Sequence, residues 1–147
     1  MATLAVIGDI HETWDNLDPV LRRIAREPVE GILLVGDLGS NRYGLMANAP
    51  PATVEAFRES ARRVIEAVER LGVPVFWVPG NHDPRDLEGS GNIDGRVETL
   101  AGLRVAGIGG AGPERFGFAY EWDEGEIRGR KIPECDILLS HTPPIET

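Results

Sequence analysis

Short apolar runs alternate with longer amphipathic stretches along the first half of the chain. The runs at 3–7 and 31–37 and the run that begins at Val73 are rich in Val, Ile and Leu, which is typical of buried strands. Between them, apolar residues recur at helical spacing after Leu17 and, more clearly, over 52–71. The alternation predicts an α/β fold with a βαβαβ start and a sheet that is at least partly parallel.

Pro19 interrupts the first helical stretch. We expect this helix to begin there, with Asp18 as the N-cap and Pro19 in the first helical position. Two short apolar stretches at 96–100 and 103–108 predict a hairpin, and a last strand is predicted over 135–141.

Two stretches in the second half of the chain predict structure or function less clearly. Residues 116–130 are charged and aromatic without a period, which predicts a loop or a short excursion. The sequence GIGGAG at 107–112 matches a dinucleotide-binding glycine pattern, but Pro113 follows it and no amphipathic helix is present to receive a pyrophosphate. A glycine-rich turn beside the functional site is the better interpretation.

Composition narrows the function classes. The chain has 147 residues, which fits one domain over 1–147, and its net charge of −9 argues against a nucleic-acid partner unless a local basic patch exists. No apolar run is long enough to span a membrane, and the N-terminus lacks the pattern of a signal peptide. Since Cys135 is the single cysteine, no internal disulfide is possible, and we expect a cytoplasmic protein.

Polar residues of similar chemistry follow four of the predicted strands. They are Asp9 and His11 after the first, Asp37 after the second, Asn81, His82 and Asp83 after the third, and His141 after the last. Because the carboxyl ends of parallel strands meet at one edge of a sheet, we expect these side chains to converge. The single residue between Asp9 and His11 would place both side chains on the same side of an extended turn.

The residue types at these strand ends indicate a divalent metal site. Carboxylate, imidazole and amide oxygen without a thiolate suit Mn, Fe or Zn. Taken alone, Asp37 or Asn81 would more often be a turn residue, and His141 a surface histidine. All three histidines of the chain follow predicted strands, however, and this coincidence favours the metal site.

The motifs GDIH, GDLG, GNHD and LLSHTPP, in that order, resemble the first four signature blocks of the calcineurin-like metallophosphoesterases. The resemblance implies a β-sandwich flanked by helices and a metal-dependent phosphoesterase that hydrolyses small phosphate mono- or diesters with two divalent ions. Mn is the first expectation for the metal, with Fe or Zn as alternatives. The resemblance also implies that Asp9 and His11 bind the first ion, that Asp37 bridges both, and that Asn81 and His141 bind the second.

Two catalytic residues follow from the same resemblance. His82 would be the non-ligand histidine that protonates the leaving-group oxygen. Asp83 could orient that imidazole, and an aspartate that only caps the turn is an equal alternative. In the loop after Asp37, the stretch 41–43 (Asn41, Arg42 and Tyr43) could reach a substrate, although a solvated loop is the more frequent outcome.

The fifth block of the family, Gly-His-x-His, does not occur in this sequence. The resemblance therefore implies a domain without its C-terminal part, in which each metal ion lacks one imidazole. We expect weaker metal binding, low or absent phosphoesterase activity, and an exposed sheet edge through which two copies could form a homodimer. The alternative function is a non-catalytic metal- or phosphate-binding module, or an inactive fragment of such an enzyme. The presence of His82, which metal binding alone does not require, argues against this alternative.

Overall fold

A computed structural model describes residues 2–40 and 45–143. Its elements, in chain order, are β1 (Leu4–Ile7), α1 (Trp14–Ile24), β2 (Gly31–Leu34), α2 (Pro51–Glu69), β3 (Val75–Trp77), β4 (Val97–Leu100), β5 (Leu103–Ile108), α3 (Glu124–Gly129) and β6 (Ile137–Ser140). The stretch 116–130, predicted as a loop or short excursion, thus contains one short helix. Within the described ranges, no helix has the length and apolar character needed to cross a membrane.

The strands form two three-stranded sheets. The first has the order β1-β2-β3 with all strands parallel, and the register pairs Ile7 with Leu34 and Leu34 with Trp77. The second has the order β4-β5-β6, in which β4 and β5 are the predicted antiparallel hairpin and β6 runs parallel to β5. The α/β class and the βαβαβ start are confirmed.

The first sheet is covered on both faces, as expected for short, continuously apolar parallel strands. Ile32 and Leu34 of β2 pack with apolar side chains of α1 and α2, whereas Leu33 between them faces the second sheet. The layer between the two sheets is formed by buried residues of both sheets and of the segment between β3 and β4, namely Leu33, Val78, Ile93, Leu100, Val105 and Leu139. The protein is therefore a β-sandwich with two helices against one face.

The helix α1 begins earlier than the sequence predicted. Thr13, not Asp18, is the N-cap, and Pro19 lies inside the helix. The carbonyl of Thr13 accepts the N–H of Leu17 at 3.0 Å, and the Leu17 side chain is buried in the core. Burial of Leu17 sets the first turn, while the exposed Pro19 only removes one helical hydrogen bond and is tolerated.

Candidate metal centre

The loops after β1 and β2 lie side by side and are joined by backbone hydrogen bonds. Asp9 N donates to Gly36 O at 3.2 Å, and His11 N donates to Asp37 O at 2.8 Å. Asp9, His11 and Asp37 all have left-handed backbones, with φ of 50°, 48° and 53°. The expectation of an extended turn after β1 is therefore wrong. The residues of this turn hydrogen-bond to the neighbouring loop and have left-handed backbones instead. Left-handed non-glycine residues are strained and concentrate at functional sites.

Asp37 lies at the centre of the candidate site and is buried. Its Oδ1 accepts the backbone N–H of His82 at 3.0 Å and lies 3.7 Å from Nε2 of His141. Its Oδ2 lies 3.5 Å from Nε2 of His11. A β-carbon at position 80 would overlap Oδ1, so only Gly80 lets the third loop approach this carboxylate so closely.

His141 enters the site from the second sheet, because it directly follows β6. The expectation that all four strand ends share one edge of a single sheet is therefore wrong, and the site lies where the two sheets meet. His141 Nδ1 donates to Val35 O at 2.6 Å, so Nε2 is the ring nitrogen that faces the site. That Nε2 lies 2.8 Å from Asn81 Oδ1. An imidazole nitrogen and an amide oxygen this close together could serve as neighbouring ligands of one divalent cation.

The donor set fits a divalent metal ion. One ligand atom each of Asp9, Asp37 and His141 lies within 4.8 Å of the other two. His11 stands next to this group, and its Nδ1 is buried without a hydrogen-bond partner among the described residues. A buried polar atom without a partner is costly unless a bound ion or water satisfies it. The structure thus brings the predicted strand-end residues together and leaves them with unused donor atoms.

His82 lies beside this donor set with its ring between two others. Its ring is 5.6 Å from the His11 ring, edge to face, and 4.1 Å from the Phe118 ring, centroid to centroid. Burial lowers the pKa of His82, and repulsion from His11 and His141 lowers it further, whereas the Asp37 carboxylate opposes the shift. The contact with Phe118 was not predicted. The only sequence signal for it is the Phe-Gly-Phe triplet in an otherwise charged stretch.

Asp83 is fully buried, and its carboxylate accepts backbone hydrogen bonds from its own turn and from the loop after β2. The donors are Leu38 N at 3.0 Å, Gly39 N at 3.4 Å and Gly80 N at 2.7 Å. Burial raises the pKa of Asp83 to about 6 despite these donors. The contacts favour the turn-capping alternative, in which Asp83 ties the second loop to the third. A catalytic role for it stays a prediction.

The stretch 116–130, for which no function was predicted, lies against one side of the site, and the glycine-rich turn lies next to it. Tyr120 N donates to Asn81 O at 3.0 Å, and Gly110 N donates to Pro79 O at 2.9 Å, so the glycine-rich turn does lie beside the site. The candidate substrate contacts at 41–43 lie outside the described residues.

Comparison with known proteins shows similarities to a protein family, to a curated protein and to a solved structure. The sequence model of the family described as calcineurin-like phosphoesterase matches residues 2–146. The symmetrical bis(5'-nucleosyl)-tetraphosphatase of Baumannia cicadellinicola subsp. Homalodisca coagulata is 35% identical over 78 residues, which are 52% of this chain and 22% of that protein. The chain thus spans about a fifth of the length of this curated relative. A solved structure superposes with a TM-score of 0.62 at 18% identity, over 85% of this chain and 60% of the other, and supports the fold.

Proposed function

Because the chain belongs to the calcineurin-like phosphoesterase family of metal-dependent hydrolases, we propose that it hydrolyses phosphate esters with two bound divalent metal ions. The observation that carries this proposal is the convergence of Asp9, Asp37 and His141 from three separate strand ends, with ligand atoms within 4.8 Å of one another. The presence of His82 beside them adds a proton donor that metal binding alone would not require.

Each ligand has a part in this proposal. Asp9 and His11 would hold one ion, Asn81 and His141 would hold the other, and Asp37 would bridge them. The bridging role is supported by the two oxygens of Asp37, since one faces His11 at 3.5 Å and the other faces His141 at 3.7 Å. When bound, such ions polarise the phosphate ester and make a water molecule more acidic. Mn is the expected metal, with Fe or Zn as alternatives.

His82 donates a proton to the leaving-group oxygen in this proposal. Its backbone is fixed by the bond from its N–H to Asp37, and its ring is held between His11 and Phe118. Asp83 keeps the two loops that carry Asp37 and His82 together through its backbone hydrogen bonds. These contacts support a proton donor that stands beside the ligands without being one of them.

The test compares turnover with metal content. With Mn²⁺ and phenyl phosphate, whose phenolate leaving group is basic enough to need a proton, His82→Asn is expected to lower kcat by about 10²- to 10⁴-fold while the bound metal stays unchanged. Asp37→Asn is expected to lose both metal and turnover. Asp18→Asn removes an exposed carboxylate of α1 as the matched control and should change neither. Metal content is measured by elemental analysis after equilibrium dialysis.

Two results would contradict the proposal. Undiminished turnover in His82→Asn would remove the proton donor from the mechanism. A wild-type chain that binds metal but cleaves neither monoesters nor diesters would favour the alternative of a non-catalytic metal- or phosphate-binding module.

The expected homodimer and the cytoplasmic location stay predictions. β6 is one of the two outer strands of its sheet, and its Leu138 is 45% exposed, which supports pairing of two copies along this edge. Light scattering over a wide concentration range tests the dimer, and a monomer at every concentration would contradict it.

A further inference from the structure

Phe116 is a large aromatic side chain that lies in the open, with 64% of its surface exposed. It is not isolated. Its ring lies 5.8 Å from the ring of Phe118, tilted by 44°, and Met46, which forms a backbone bridge with Phe118, is 37% exposed. These three side chains, Met46, Phe116 and Phe118, form an apolar patch that we call the aromatic platform. Exposed apolar groups that cluster in this way mark binding surfaces more often than scattered ones do.

The platform is held in place by its own loop. The Glu121 carboxylate accepts backbone N–H groups from four successive residues, at 3.2 Å from Arg115, 3.0 Å from Phe116, 2.7 Å from Gly117 and 3.3 Å from Phe118. A carboxylate bound by this many donors orders the backbone that carries them.

The other side of the loop is anchored as well. Ala47 N donates to Gly117 O at 2.9 Å, and Ala119 N donates to Leu45 O at 3.2 Å. The exposure of Phe116 is therefore set by a bonded loop on both sides.

The position of the platform suggests what it binds. The Phe118 ring lies 4.1 Å from the His82 ring, and the Phe116 ring lies 5.8 Å from the Phe118 ring. In the proposed function, His82 protonates the leaving-group oxygen, so the departing group lies on the side of the site where His82 and these rings stand. A flat aromatic leaving group would stack on them, whereas a small alkyl group would leave them in water.

We propose that Phe116 and Phe118 are specificity-determining residues that stack the aromatic base of a nucleoside leaving group. This inference rests on the proposed function, because it uses the place of His82 in the reaction. It predicts that the chain selects phosphate esters of nucleosides over phosphate esters of alkyl or sugar alcohols.

The test uses two ligands that differ only in the base, adenosine 5'-monophosphate and ribose 5-phosphate. Both would release a primary 5'-hydroxyl, so their intrinsic reactivities match. Binding to the Mn²⁺-loaded protein is measured by calorimetry, and hydrolysis by phosphate release. We expect the wild type to prefer the nucleotide by about 5- to 100-fold in affinity, the range for stacking one base.

Three variants sharpen the result. Phe116→Ala should bring the preference close to one, and Phe116→Tyr should retain it because the ring is kept. Ile132→Ala removes another side chain that is 54% exposed and serves as the matched control, with the preference unchanged. Since Phe116 is exposed, all three variants are expected to fold, which thermal unfolding checks.

The outcomes separate this inference from the proposed function. Hydrolysis of both ligands with equal preference, or a preference that survives in Phe116→Ala, contradicts base stacking on the aromatic platform. Either result leaves the proposed phosphoesterase activity unaffected. Binding that favours the nucleotide without hydrolysis of either ligand supports the platform and counts against the enzyme. Binding of neither ligand overturns the platform.

Discussion

Asp83 is a buried carboxylate that accepts backbone N–H groups from two loops, and its effect on stability can be predicted from these contacts. Asp83→Asn replaces one oxygen by an NH₂ group that cannot accept, so a buried N–H loses its acceptor. We expect the free energy of unfolding to fall by about 1–3 kcal/mol, measured by denaturant titration.

Asp86→Asn is the matched control for this residue. The Asp86 side chain is 79% exposed and pairs with Arg58, so its replacement should change stability by less than about 1 kcal/mol. Equal stability of Asp83→Asn and the wild type would show that the bonds from Leu38 and Gly80 do not hold the loops.

The loop between β5 and α3 depends on the ionised form of Glu121. Burial alone would raise the pKa of the Glu121 carboxyl, but the N–H groups of Arg115, Gly117, Phe116 and Phe118 outweigh burial and hold the pKa below its ordinary 4.5. A lowered pKa in the folded state means that the charge stabilises the fold above the unfolded value, and this contribution is lost as the pH falls through the folded pKa.

Glu121→Gln is therefore expected to lower the free energy of unfolding by about 1 kcal/mol near pH 7. The difference from the wild type should shrink as the pH falls below 4.5, because the wild-type carboxylate is then protonated as well. Denaturant unfolding near pH 7 and below pH 4.5 measures the difference in stability between the variant and the wild type. Glu59→Gln on the exposed side of α2 is the control. A difference that is constant with pH would contradict the role of the charge.

At the scale of the whole molecule, the candidate metal centre joins the two sheets. Asp9 and Asp37 follow strands of the first sheet and His141 follows a strand of the second, so a bound ion would connect them. The protein also carries a net charge of −9, which bound cations reduce.

Mn²⁺ should therefore raise the midpoint of thermal unfolding, and a chelator should reverse the change. A ligand that binds only the folded state at about 100 times its Kd adds about 2.7 kcal/mol. Asp37→Asn should show no such gain, which separates the site from general screening of charge. An unchanged wild-type midpoint with and without Mn²⁺ would contradict binding at this centre.

The local hydrophobic pattern of the sequence was enough to predict most of the helices and strands. The predicted helix at 52–71 is observed as Pro51–Glu69, and the predicted hairpin is β4 and β5. These elements are predictable because each has its own hydrophobic period or turn. The start of α1 was not predicted correctly. Pro19 favours a helix that begins at residue 19, but the burial of Leu17 requires the helix to begin earlier.

The sequence by itself determined which residues follow the strands, and so the chemical kind of the site: Asp9, Asp37 and His141 could be named from apolar runs and the residues after them. Only the tertiary structure decided that His141 arrives from a second sheet and that Phe118 packs on His82. Strand-end positions are encoded by neighbours in the chain. Contacts between distant segments depend instead on how sheets and loops pack, which no local spacing records.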